Sequence, residues 1–432
     1  MMMEDFLKAA GVIAEFDPFH NGHAYFLRRV RELTSADFII AVMSGDYTQR
    51  GNAAVMGKRL RAKAAMLNGV DVVIELPVQY STASAELFAY AGVSLLDKLG
   101  CVDTLCFGTE TADIKILRLA ADIMSSETDE YREILNSYLK KGMNYPEARM
   151  KAAAETMQGA GIKDAAFRAD ELSNVLCGSN NILAIEYLKA LKKLGSGIQP
   201  MNIKRESVDH DSVNTFGIYS SAKNIRETLK TTNSFESVSG FLPENTLPMI
   251  REHFSVDFPV FNDDLSLLYK YSLEMETEQS LMGYADMSMD LARRIIKHRH
   301  EFQTVSQFTE LIKTRNITYT RISRALLHTL LRITKEDLVK YREAGTAGYA
   351  RVIGFRKEAS VLIDRMNEVS SVPVMTRLSD HRRYIKAPFD MMLADTLRSS
   401  YIYDSVIKDI YDTDITPDIS HMAVSEDDMI LI

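Results

Sequence analysis

Apolar and polar positions along this chain alternate in blocks that switch between two periods. Val12-Ile13-Ala14, Phe38 to Met43, Asp71 to Pro77 and Val102 to Phe107 are short apolar runs, the pattern of strands buried on both faces. Between them the spacing turns helical. Tyr25, Phe26, Leu27, Val30 and Leu33 interleave with Arg28, Arg29, Arg31 and Glu32, and the stretch from Ser84 to Leu99 is amphipathic. A basic helix, GKRLRAKAAMLNG, lies between the second and third strands and closes near Gly69. Strand and helix therefore alternate at the spacing of βαβ units, which predicts an α/β fold with a parallel sheet and helices on both faces.

Further along, residues from Ile114 to about Glu171 read as helical and charged, and Met201 to Arg205 as another strand. Cys177-Gly178-Ser179-Asn180-Asn181 opens a helix running to about Leu194, with Ser179 or Asn180 as its expected cap. Asp209-His210-Asp211 falls in a polar loop, and Tyr219 to Arg226 starts a helix that Ser220 or Ser221 can cap. Thr231 to Pro259 reads as a connection with a few short elements. From Asp263 the pattern is mostly helical, broken by the strand-like GYARVIGF, and after about Tyr401 the chain is acidic, with seven Asp and one Glu. The expected division is an α/β unit over 1–235, a mostly helical region over 236–380 and an acidic extension over 381–432.

Composition narrows the class. The chain has 432 residues, 46% hydrophobic and 25% charged, as in globular proteins with large cores. No run of about 18 apolar residues predicts a membrane span. The start, MMMEDFLKAAG, carries Glu4 and Asp5 and does not read as a signal peptide, and three cysteines suit a reducing cytoplasm. A net charge of −8 argues against a generally basic nucleic-acid coat. Locally, however, Leu291 to Lys335 holds ten basic residues against Glu301 and Glu310. That excess, which includes Arg293, Arg294, Arg315, Arg321 and Arg324, is either a set of solvated helix faces or a patch for an RNA backbone.

The chemistry concentrates in GVIAEFDPFHNGH, Gly11 to His23. A strand runs into a sharp turn and then a helix that opens with His20 and His23, three residues apart. A helix N-terminus offers unpaired N–H groups and the positive end of the dipole, and Gly22 lets a ligand approach the backbone. Both imidazoles can donate to phosphate oxygens, as phosphoryl or nucleotidyl transfer requires. Two plain turn histidines, or a zinc pair with ligands from elsewhere, are the competing readings, although Cys101, Cys106 and Cys177 are not spaced as partner ligands. Ser44, Gly45, Gly108 and Thr109 also follow strand ends, where open α/β sheets bind ligands. Lys58, Arg59, Arg61 and Lys63 on the basic helix are either a solvated face or a set of charges near phosphate.

FHNGH followed by SSAKNIR resembles the HxGH and ISSTxIR-type motifs of the HIGH superfamily of nucleotidyltransferases. With AVMSGDYTQRGNAAV, GVDVVIELP, CFGTE, GSNNILAIEYLKAL, ITYTRISRALLHTLL and YARVIGF, the chain more specifically resembles the bacterial tRNA(Met) cytidine acetate ligases, over nearly all of its length up to about Asp380. The resemblance implies a Rossmann-like nucleotidyltransferase domain followed by a mostly helical, tRNA-binding C-terminal region. It implies an enzyme that activates acetate with ATP and magnesium and acetylates the wobble cytidine of elongator tRNA(Met). By the same resemblance Ile13, Ala14, Glu15, Phe16, Asp17, Pro18, Phe19, His20, Asn21, Gly22 and His23 hold ATP, together with Gly108, Asn181, Arg205, Ser221 and Arg226. His20, His23 and Arg226 are then catalytic, and Lys58, Arg61, Arg293, Arg294, Arg315, Arg321 and Arg324 contact tRNA. Asp17 stands where the family has Asn, so a metal or an arginine must offset its charge, and Lys223 adds a cation able to do so. Other readings are a nucleotidyltransferase with a small-molecule acceptor and an RNA-binding protein with a degenerate nucleotide site.

Overall fold

Along the second strand, Ile40 and Val42 join one hydrophobic core while Ile39, Ala41 and Met43 join another, so the sheet is buried on both faces. The computed structural model describes residues 7–159, 176–205, 218–378, 381–414 and 430–431. Its strands are β1 (Ala9–Ala14), β2 (Phe38–Ser44), β3 (Val72–Leu76), β4 (Thr104–Thr109), β5 (Gln199–Lys204), β6 (Ala350–Phe355), β7 (Val374–Met375) and β8 (Ile430–Leu431). They form one sheet in the order β5-β4-β1-β2-β3-β6-β7, with β8 also paired to β6. β1 to β5 are parallel, with Val12 opposite both Ala41 and Cys106.

The expected parallel sheet gains one antiparallel pairing at β6, the GYARVIGF segment, which lies against β3. This strand covers an edge of β3 that would otherwise leave its backbone groups unpaired. The sheet thus draws strands from both sides of the expected boundary at 235/236.

Helices α1 (Asn21–Thr34) and α2 (Lys58–Leu67) cover one face through Leu27, Val30, Ala62, Ala65 and Met66. On the other, α3 (Ala85–Lys98) and α4 (Ser179–Leu194) bury Phe88, Leu95, Ile185 and Leu188. Ser221 caps α5 (Ala222–Thr232). Beyond it, α6 (Tyr319–Leu331) and the helices Ser266–Glu274, Met289–His298 and Val305–Ile312 build a separate core.

Two segments of polar composition are largely interior. The loop after β2 buries Asp46, Tyr47, Thr48 and Ala53 to Met56, because the helical region docks on it. Ser323 donates to the Gly51 carbonyl at 2.8 Å, and Gly51 (φ 78°) is so close to α6 that a Cβ would meet the Arg324 backbone at 2.5 Å. The expected acidic extension contains α7 (Phe389–Tyr411), which buries Leu393, Leu397, Tyr403 and Ile407. Its Tyr403 hydroxyl donates to the Ala54 carbonyl at 2.7 Å. Tail residues 415–429 and Asp209-His210-Asp211 lie outside the described residues.

Candidate active site

Chain order reverses across the sheet between β1 and β4, so the carboxyl end of β1 faces the crevice where open α/β sheets bind ligands. Phe16 turns the chain there with a φ of 51°, and Phe16 to His20 are buried. His20 is the N-cap of α1: its Nδ1 accepts from the Gly22 N–H at 3.0 Å. The His23 Nδ1 accepts from the His20 N–H at 3.3 Å, and the two rings stack with centroids 3.7 Å apart. A Cβ on Gly22 would stand 2.9 Å from the His20 ring, so the arrangement requires glycine there.

Because each Nδ1 is an acceptor, each neutral ring carries its proton on Nε2. Desolvation, followed by the charges of Arg205 and Arg226, pushes His20 down to about 3. Desolvation, then His20 and Arg205, holds His23 well below its ordinary range. At neutral pH both are uncharged N–H donors of fixed tautomer, beside the positive end of a helix.

Asp17 is buried and fully engaged. One carboxylate oxygen accepts from the Val55 N–H at 2.7 Å, and the other lies 3.4 Å from Arg226, which also donates to the Asp17 carbonyl. Arg226 therefore offsets the charge. Lys223, which the sequence also offered for this, pairs instead with Glu227 at 3.6 Å on the exposed face of α5. Glu15 accepts from the Gln49 N–H at 2.6 Å, and burial raises its carboxyl above the usual range. Ile13 and Ala14 are half-buried at the strand end, Ile13 against Gly92, and Phe16 and Phe19 back the His23 ring. Asn21 turns away and donates to the carbonyls of Ile218 at 2.8 Å and Gly240 at 3.1 Å.

The opposite wall comes from β4, β5 and α4. A Cβ on Gly108 would meet the Arg205 side chain at 3.3 Å, and the Arg205 guanidinium donates to Asn180 Oδ1 at 3.2 Å. Neither Ser179 nor Asn180 caps α4; the N-cap is Gly178, without a side-chain bond. Glu110 fills that role, accepting from the Asn180 N–H at 3.0 Å and the Asn181 N–H at 2.8 Å. Asn181 Oδ1 in turn accepts from the Glu110 N–H at 3.0 Å. Glu110 was missed in the motif reading; its signal is a carboxylate directly after a strand end. Ser221 accepts from the Asn224 N–H at 3.1 Å, and Arg226 follows one turn later.

Two residues expected to touch tRNA are interior. Lys58 is 3% exposed and Arg61 0%. Lys58 donates to Glu75 at 2.8 Å and to Ser400 on α7 at 2.7 Å, while Arg351 of β6 holds the other Glu75 oxygen at 2.5 Å. Arg61 donates to the carbonyls of Met56, Glu15, Ser44 and Gly45, bracing the ends of β1 and β2. α2 packs under the sheet, so Lys58 and Arg61 are structural, whereas Arg59 is half-buried and Lys63 exposed. Arg324 is likewise committed, with a bidentate pair to Asp286 at 2.8 and 3.0 Å. Arg321 and Arg294 are half-buried and donate to the carbonyls of Asp286 and Ile312. Arg293 is exposed beside Glu278, and Arg315 is exposed.

The HIGH Nucleotidyl Transferase family matches residues 7–417. A tRNA(Met) cytidine acetate ligase of Acetivibrio thermocellus is 36% identical over 87% of this chain and 89% of its own. One from Clostridium novyi is 33% identical over 94% and 98%. The crystal structure of Thermotoga maritima TmcAL bound with alpha-thio ATP superposes with a TM-score of 0.85 at 29% identity, covering 98% of this chain and all of the other.

Proposed function

The chain belongs to the HIGH Nucleotidyl Transferase family, among its tRNA(Met) cytidine acetate ligases, and we propose that it joins acetate to the N4 amine of the wobble cytidine in elongator tRNA(Met) at the expense of ATP. A carboxylate oxygen of acetate attacks the α-phosphorus, the bond to pyrophosphate breaks, and acetyl-adenylate forms. The cytidine amine then attacks the acetyl carbon, AMP leaves with the former acetate oxygen, and the amine loses a proton. The anhydride is already a good electrophile, so no Ser or Cys nucleophile is needed and positioning is the protein's main contribution.

The observation that carries this reading is the paired histidines, whose Nδ1 atoms are both taken by the backbone of the α1 start. Each Nε2–H is thereby available to charge developing on the α-phosphate, as a fixed donor needing no reorganisation. Arg226 and the α5 start at Ser221 serve the departing phosphates, and Gly108, Asn181 and Arg205 serve the adenosine. Ile13 to Phe19 form the floor, with Asn21 and Gly22 shaping the helix entry. Magnesium would enter with ATP. It would neutralise phosphate charge.

Exposed Arg293 and Arg315 on the helical region are the contacts proposed for the tRNA backbone, with half-buried Arg294 and Arg321 beside them. Among the described residues no helix is long and apolar enough to cross a membrane; a tRNA substrate supports a cytoplasmic setting for the reaction.

ATP–pyrophosphate exchange, with and without acetate, tests the reading. Exchange that depends on acetate and disappears in His23→Ala, followed by N4-acetylcytidine in tRNA by mass spectrometry, is the expected result. Exchange supported only by another acceptor, or tRNA binding without any exchange, would replace it with one of the other two readings.

A further inference from the structure

A groove of about 440 Å³ runs along the outer flank of α1, beginning at Asn21, one residue after the N-cap histidine. Its walls include Asn21, Tyr25 and Arg28 from α1, Tyr219 from the segment before Ser221, and Gly240 and Glu244 opposite. We propose that this groove seats the one unstacked nucleotide of the RNA acceptor, placing its amine beside the acyl-adenylate; the inference rests on the ligase reading above.

Four observations converge. The first is position. Residues 21, 25 and 28 share one flank of α1, so the groove begins on the helix turn that carries both histidines, although neither ring lines it. Gly108, Asn181 and Arg205, proposed for the adenosine, take no part in it. The second is shape, since the volume suits a nucleoside and falls within the usual range of ligand clefts, roughly 300–1,000 Å³.

The third is chemistry. Tyr25 and Tyr219 meet edge to face with centroids 6.4 Å apart, and the Arg28 guanidinium lies 5.6 Å from the Tyr25 ring. Splayed RNA bases are held by such tyrosine rings and guanidinium planes. Arg28 can take the nucleotide's phosphate, whereas exposed Glu244 accepts from an exocyclic amine and repels a triphosphate. The fourth is preorganisation. The Asn21 amide bonds both walls at once, through Ile218 and Gly240, so the groove is held open by the motif that also places the histidines.

The test uses full-length protein and tRNA carrying 4-thiouridine in place of the target cytidine, irradiated in the complex. A crosslink mapping to the peptides containing Tyr25 or Tyr219 is expected; a crosslink only elsewhere, or none from bound tRNA, overturns the assignment. In steady-state assays Tyr219→Ala should raise the KM for tRNA and lower transfer at least tenfold relative to acetate-dependent exchange, with Tyr219→Phe restoring it. A raised KM for ATP instead would give the groove to the adenine and overturn the proposal. Absence of acetate-dependent exchange in the unaltered protein would sink the ligase reading, while the crosslink map still decides whether a nucleotide occupies the groove.

Discussion

The guanidinium of Arg226 lies 3.4 Å from the buried carboxylate of Asp17, 209 residues earlier in the chain. This pair joins the start of the histidine turn to α5, the helix proposed to meet the phosphates. It also accounts for an acidic residue beside a proposed triphosphate site, because the charge is offset before nucleotide arrives.

Asp17→Asn should therefore be tolerated. The amide oxygen still accepts from the Val55 N–H, one negative charge disappears, and Arg226 is released toward phosphate, so the KM for ATP is expected to fall. Asp17→Ala leaves the Val55 N–H without its acceptor, a loss of about 1–3 kcal/mol for a buried group. Thermal unfolding and exchange kinetics of the two variants separate these outcomes; equal destabilisation by both would contradict the account.

His20 has two tasks that substitutions can divide. Asn is a good N-cap, so His20→Asn should keep the start of α1 and the melting temperature while removing the Nε2 donor. Exchange is then expected to fall by about 10²–10³, the usual loss for one preorganised donor. His20→Ala should lose stability as well. A fully active His20→Asn protein would remove His20 from the chemistry.

The histidine pKa shifts give a pH prediction. His20 is pushed down to about 3 in the fold, against about 6.5 in an unfolded chain, and His23 is also depressed. Between those values the unfolded chain binds the extra protons. Stability from the neutral rings is thus complete above about pH 6.5 and is lost as pH falls toward 3. Imidazole C–H resonances assigned with His20 and His23 variants should show no titration from pH 8 to 6, and exchange should show no limb from these rings there. A midpoint near 6.5 for either would refute the buried, neutral assignment.

Basic residues should divide into structural and RNA-facing sets. Lys58→Ala removes one partner from the buried Asp46, Lys58, Glu75 and Arg351 cluster, a loss on the order of 3–5 kcal/mol, and should be read in denaturant melts. Arg315→Glu should fold normally and weaken tRNA binding severalfold. The slope of log affinity against log salt should shrink by about 1. Filter binding at several salt concentrations measures this; an unchanged slope would place the RNA surface elsewhere.

Local pattern alone determined the strands β1 to β5, their alternation with helices and the strand–turn–helix that carries HNGH. Each follows from short apolar runs, helical periodicity and turn chemistry acting over a dozen residues or fewer. The antiparallel β6 and the buried loop after β2 depended on packing between segments hundreds of residues apart, as did α7. No local period records an edge waiting to be covered. Charge was the least legible property. Lys58, Arg61 and Arg324 read as surface cations, but the fold surrounds them with carboxylates and strand-end carbonyls that make burial tolerable. The two histidines were visible as a motif; which nitrogen carries the proton was decided only when the α1 start folded back onto both Nδ1 atoms.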